Sequence, residues 1–210
     1  GSLRTMIISH KHNFIFFKPW KVGGNSVEHN LAKHCSKKDV INTNHTNPKD
    51  VIKLIGEKKY NKYFKFTITR NPWDRMVSYF WWQDGGLVGK NHRENVDKLL
   101  KMKFSGYQFK EQFARWIGNY TQFNQPFYFD KDGSPAMDHY MKFENLDEDY
   151  KTICDKLNLE YKSLKKIGAF PFKKKNEEYW KYYNYESGSI VAHRHRKSIE
   201  KFNYRCGPKS

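Results

Sequence analysis

The apolar run Asn13-Phe14-Ile15-Phe16-Phe17 gives way to a glycine pair, Gly23-Gly24, and then to a helical pattern in which Val27, Leu31 and His34 share a face. That succession reads as a buried strand, a tight loop and a helix. Tyr63 to Thr69 alternates aromatic and polar residues and reads as a second strand, and Asp138 to Phe143 as another that feeds a helix from Leu146 to Asn158. Asn47-Pro48 and Asn71-Pro72 each put a good cap before a proline at the first helical position. The first of these helices carries Val51, Ile52 and Ile55 inward, the second Trp73, Val77, Phe80 and Trp81. Val96, Leu99, Leu100 and Lys103 mark a short helix, Phe109, Phe113, Trp116 and Ile117 another, and a last helix covers Ser187 to Phe202; Lys162 to Asn176 reads as a basic loop. Strands alternating with helices predict an α/β fold, with a central parallel sheet flanked by helices in a single domain across residues 1–210. The leading Gly1-Ser2 reads as a cloning remnant.

No apolar run approaches the roughly 18 residues needed to span a bilayer, and no basic-then-apolar leader precedes the strands, so no membrane segment is expected in this chain. Cys35, Cys154 and Cys206 are odd in number and lack metal spacing, which predicts free thiols in a reducing compartment. The net charge of +17 favours anionic ligands: nucleotides, acidic glycans or nucleic acid. The accompanying wealth of Asn, Ile, Phe and Tyr equally suits AT-rich coding, so charge alone decides nothing.

Chemistry enters at the glycine loop. Gly23-Gly24 lets backbone approach a ligand closely, Asn25 and Ser26 offer donors at the helix start, and Lys21 adds charge, a set suited to an anion. An ATP-type loop carries its lysine after the glycines, whereas Lys21 precedes them. Arg70 closes a strand, and Arg75 and Ser78 follow along the next helix. Ligands of open α/β sheets bind at the carboxyl ends of strands, so Lys21 and Arg70 are expected to meet in one crevice.

These motifs resemble sulfotransferases that use 3′-phosphoadenosine 5′-phosphosulfate (PAPS), in particular the Golgi-type carbohydrate branch that includes heparan sulfate 2-O-sulfotransferases. Lys21, Gly24 and Ser26 match the lysine, glycine and serine of the P-K-T-x-G-T-S loop that holds the 5′-phosphosulfate. Arg70-Asn71-Pro72, Asp74, Arg75 and Ser78 complete R-N-P-x-D-R-x-x-S, whose first arginine and serine bind the 3′-phosphate. Phe143-Glu144-Asn145-Leu146 and the segment Tyr182 to Tyr204 resemble further family elements. Trp20, Val22 and Asn25 depart from the family's Pro, Thr and Thr, and Ser198 stands where an acidic residue is common. The resemblance implies a P-loop-like sulfotransferase fold, PAPS as donor with 3′,5′-ADP as product, and a carbohydrate hydroxyl as acceptor. It implies that Lys21, Gly23, Gly24, Asn25, Ser26, Arg70 and Ser78 bind the donor, with Lys174 and Lys175 in the basic loop closing over it. Catalysis falls to Lys21, which stabilises the leaving oxygen, and to His45 as base, with Glu28 and Glu144 in reserve.

His193 and His195, two apart on a helix, do not share a face, and His10/His12 lacks a third ligand in sequence, so no metal is expected. Two other classes stay open: a nucleotide-binding kinase, which would be expected to carry a Walker lysine, and a basic nucleic-acid or heparin-binding module without catalysis, which would not need the spacing of Arg70 and Ser78. If the chain is a sulfotransferase, no nucleic-acid partner is expected. Its charge favours an acidic glycan, with acceptor loops at residues 83–106 and 118–137 and Trp81, Trp82, Tyr107 and Trp116 available to stack on sugars, although Trp81 and Trp116 also suit the apolar stripes and fit the core better. Asn44-His45-Thr46 and Asn119-Tyr120-Thr121 are glycosylation acceptors, and a glycan at Asn44 would obstruct His45. That points to the cytoplasm of a bacterium or of a virus-infected cell; the alternative is a truncated Golgi-lumenal domain.

Overall fold

The computed structural model describes residues 6–39, 47–83, 101–102, 106–120, 128–164 and 178–208. They fall into two compact units, residues 1–70 with 124–168 and residues 71–123 with 169–210.

The first unit is built on a sheet of β1 (Met6–Ser9), β2 (Phe14–Phe17), β3 (Phe64–Thr69) and β4 (His139–Lys142), in that order. Phe14 lies beside Phe64 and Phe66 beside His139 in parallel register, while Met6 faces Phe17 across an antiparallel pair. The sheet is therefore mostly parallel with one antiparallel edge. Sequence reading missed that edge, β1; the left-handed Asn13 (φ 55°) helps turn it into β2. Asp39 pins the turn, accepting from Ser9 Oγ (3.0 Å) and the His10 and Lys11 amides (2.6 and 3.1 Å).

Both faces of the sheet are covered, which is why β2 reads as an unbroken apolar run. On one face Ile7, Phe14, Phe16, Phe66, Ile68 and Met141 pack with Val27 and Leu31 of α1 (Gly24–Ala32) and with Tyr150, Ile153 and Cys154 of the helix Leu146–Leu157. On the other, Met6, Ile8, Ile15 and Phe17 meet Val51 of α2 (Pro48–Ile55) and Tyr60 of α3 (Glu57–Lys62). Asn47 caps α2 as its sequence predicts, its Oδ1 accepting from the Asp50 amide at 2.9 Å. Lys65 is buried with its ammonium on the carbonyls of Tyr60 (2.8 Å) and Tyr63 (2.7 Å), so this strand's polar alternation serves the end of α3 rather than solvent. His34 lies beyond the end of α1 and not on its face.

The second unit is helical: α4 (Pro72–Gln83), α5 (Tyr107–Asn119), α7 (Tyr185–Arg194) and α8 (Arg196–Phe202), the helix Leu146–Leu157 being α6. Aromatic rings fill it, with Phe80 edge-on to Phe113 at 5.2 Å and the Trp81 indole donating to the Tyr182 hydroxyl at 2.7 Å. Trp81 is fully buried, a core residue as its place on the apolar stripe predicts. The single helix expected over Ser187–Phe202 is two, broken at His195, whose ψ of 21° leaves the helical range. Burial first, then Arg75 and Arg194 beside it, pull this imidazole down to about 3, so it is neutral near pH 7. Cys35, Cys154 and Cys206 are free thiols. Among the described residues no helix is long and apolar enough to cross a membrane.

Candidate active site

Three neighbouring strands of the first unit end at the same edge, and their exits build the site. After β2 the chain runs through Lys18 to Lys21, which takes a left-handed backbone (φ 58°) costing about 1–2 kcal/mol for a residue with a Cβ. Arg70, at the exit of β3, holds it there by donating from Nη1 to the Lys21 carbonyl at 2.7 Å. Phe143, at the exit of β4, lies under the same guanidinium, with Arg70 Cζ 3.9 Å from the ring centre, a cation–π contact. The expected meeting of Lys21 and Arg70 is thus a direct hydrogen bond.

The next residues prepare a helix start without closing it. Val22 is fully buried in the core, which accounts for an apolar side chain where the related motif has threonine. Gly23 (φ 80°, ψ 13°) is the N-cap of α1 and offers no side chain to the first-turn amides; a Cβ there would come within 3.1 Å of Phe143 and Leu146. Ser26 Oγ turns back to the Gly23 carbonyl at 2.9 Å, and no acidic residue lies in the first turn. Amides left without a side-chain cap among the described residues, at the positive end of a helix, favour an anion. Burial, then the neighbouring Arg70 charge, bring the Lys21 ammonium down from 10.5 to about 8. It remains mostly charged at pH 7 and gains from an anionic partner.

Gly24 is dictated by space. A Cβ would sit 2.3 Å from Lys18 Cγ, because the Lys18 stem crosses directly over it to reach Asn25 Oδ1 (2.9 Å) and Glu28 Oε2 (2.7 Å). Lys18 and Glu28 are both 8% exposed, so this buried ion pair ties the loop to α1. The sequence reading did not single out Lys18 or Phe143 as residues that shape the site.

The sequence model of the sulfotransferase family matches residues 4–202. The chain belongs to the sulfotransferase family. No curated protein and no solved structure matches it. Sulfotransferases move a sulfuryl group from a donor to an acceptor, and a loop of bare amides beside a buried lysine is chemically suited to the anionic end of a sulfuryl donor. In this sulfotransferase Lys21, Gly23, Gly24, Asn25, Ser26 and Arg70 lie together in the first unit. Ser78 lies in the second, 7% exposed on α4, where Arg75 is also buried and donates to the Tyr79 hydroxyl at 3.4 Å. Asn71 starts that helix, its Oδ1 accepting from the amides of Trp73 (3.0 Å) and Asp74 (3.4 Å).

His45, Lys174 and Lys175 lie outside the described residues, as do Asn44 and most of the stretches named as acceptor loops. Of the reserve bases, Glu28 is held by Lys18, and Glu144 is half-buried in the short 3₁₀ turn Phe143–Asn145. The histidines of the first H-x-H pair diverge: His10 Nδ1 meets the Tyr63 hydroxyl at 2.7 Å and His12 Nε2 the His34 carbonyl at 3.1 Å. Among the described residues no group of three or more His, Cys, Asp or Glu side chains is placed to hold a metal ion.

Proposed function

We propose that this sulfotransferase uses PAPS as donor and a carbohydrate hydroxyl as acceptor, as in the carbohydrate branch its motifs resemble. The observation that carries the donor assignment is the uncapped, glycine-led start of α1 beside Lys21. The chemistry of that loop fits the 5′ end of PAPS: bare amides for its oxygens, a buried cation for its charge, and no acidic side chain in the first turn to repel it. When bound, PAPS supplies the sulfuryl group together with the phosphate oxygen that leaves it.

In this reading Lys21 neutralises charge at that leaving oxygen, assisted by the amides of Gly24 to Ser26. Arg70 fixes the Lys21 backbone, so the ammonium is aimed before the donor arrives. The sequence motif, and not the geometry, assigns the 3′-phosphate to Arg70 and Ser78, the acceptor proton to His45, and closure over the donor to Lys174 and Lys175. The charge of +17 supports an acceptor that is itself anionic. A cytoplasmic setting belongs to the same reading, because glycosylation of Asn44 would crowd His45.

The experiment is label transfer from [³⁵S]PAPS to a panel of sulfated, uronate-containing and neutral saccharides, with thermal shifts for 3′,5′-ADP and 5′-AMP beside it. Transfer to a saccharide is expected, best to anionic ones and weakening with salt. 3′,5′-ADP is expected to bind at least about tenfold tighter than 5′-AMP, the worth of one charge-assisted contact to phosphate. Equal affinity for the two nucleotides, or transfer to none of the saccharides, contradicts the proposal.

A further inference from the structure

Buried lysines are rare unless paired, and Lys18 is paired in a way the donor loop can use. Its stem occupies the space a side chain at position 24 would need, and its ammonium meets two acceptors, Asn25 Oδ1 and Glu28 Oε2. An ammonium has only donors, so the Asn25 amide must turn its oxygen toward Lys18. The amide is planar, and with its oxygen committed its NH₂ group is directed elsewhere. Asn25 is exposed in the first turn of α1, and its Nδ2 has no partner among the described residues. Were the amide reversed, the carbonyl oxygen would face an incoming anion and repel it.

We infer that Lys18 is a positioning residue of the donor site: held down by Glu28, it locks the Asn25 amide with its N–H groups available to the anion that docks at the start of α1. This rests on the donor reading above. Glycine at 24 then has a functional reason, since any larger residue displaces the stem that does the locking. The two partners have separate duties. Glu28 neutralises the buried charge, and Asn25 receives the orientation.

The test is calorimetric titration of 3′,5′-ADP at pH 7 into wild type, Lys18→Met, Lys18→Met/Glu28→Gln, Asn25→Ala and the triple variant, with the Asn25 side-chain amide signals followed by ¹H–¹⁵N NMR. Lys18→Met alone leaves a buried carboxylate near the anion, so the Lys18→Met/Glu28→Gln pair isolates orientation from charge. Asn25→Ala is expected to weaken 3′,5′-ADP about fivefold, and Lys18→Met/Glu28→Gln by a similar factor. The triple variant is expected to bind no worse than either, since both changes remove one contact. The Asn25 amide pair should shift on Lys18 substitution in ligand-free protein, which general destabilisation would not do selectively. Asn25 is exposed, so Asn25→Ala keeps a folded test available if Lys18 variants do not fold. Wild-type affinity in Asn25→Ala, in the Lys18/Glu28 pair, or additive losses in the triple variant overturn the inference and leave the donor reading standing. A wild-type protein that fails to bind 3′,5′-ADP overturns the donor reading itself.

Discussion

The starts of α1 and α4 solve the same problem in opposite ways. Each is the next helix after a strand of the sheet, and each has orphan amides in its first turn. At α4 the protein satisfies its own amides: Asn71 Oδ1 takes those of Trp73 and Asp74, Pro72 has none to satisfy, and Asp74 complements the helix dipole. The Asn71 amide nitrogen then donates to the Arg205 carbonyl (2.8 Å) and the Tyr179 hydroxyl (3.1 Å). At α1 the cap is a glycine, the serine turns back on a carbonyl, the first turn holds no acidic residue, and Lys21 lies beside it. One start is finished by protein groups and serves stability; the other keeps the features that suit an anion.

The most severe way to break that contrast is to remove the charge at α1. Lys21→Ala is expected to lower sulfuryl transfer by about 10²-fold or more with saturating donor, as read by label transfer. Gly24→Ala comes next: its methyl collides with the Lys18 stem, an overpacking of about 1–3 kcal/mol visible in chemical denaturation, and the same change should cost much less in a Lys18→Ala/Glu28→Gln background, where the stem is gone and no buried carboxylate is left unpaired. An equal cost in both backgrounds would mean the clash is not with Lys18. At α4 the effect should be one of stability: Asn71→Ala loses a cap worth about 1 kcal/mol and frees two further partners, lowering Tm by several degrees. An unchanged Tm would remove Asn71 from the account.

The smallest effect sharpens the role of Lys21 through pH. Its folded value, about 8, lies below its ordinary 10.5, so the folded protein holds fewer protons than the unfolded chain between those values. The cost of burying this ammonium is therefore full below pH 8 and is relieved as pH rises toward 10.5. Affinity for 3′,5′-ADP runs the other way, because the anion needs the charged form. It should weaken about fivefold between pH 8 and pH 9, and Lys21→Arg should flatten the profile.

How much of this was legible in the sequence follows from how local each feature is. The caps at Asn47 and Asn71 depend on residues within one turn and read directly. So do β2 and β3, and the apolar stripes of α4 and α5, whose residues are buried as the periodicity predicts except for the half-buried Trp116. β1 did not read, because four residues at an antiparallel edge carry too short a pattern and pair only through the Asn13 turn. The break at His195 was hidden in a continuous helical pattern. Within the site, Lys21, Gly23, Gly24 and Ser26 were visible as types suited to anions. Lys18 was not, since its role depends on a Cβ that Gly24 lacks, and Phe143 was not, since it meets Arg70 only through the strand order.

The central claim is that the start of α1, with Lys21, holds the 5′ end of the donor. It is tested most directly by calorimetric affinities of 3′,5′-ADP and of adenosine 3′-phosphate, which lacks the 5′ group, for wild type and Lys21→Ala. The account predicts that wild type prefers 3′,5′-ADP by about tenfold or more, and that Lys21→Ala erases most of this preference while leaving adenosine 3′-phosphate binding nearly unchanged. A preference that survives in Lys21→Ala, or equal losses for both nucleotides, would place the 5′ end elsewhere and contradict it.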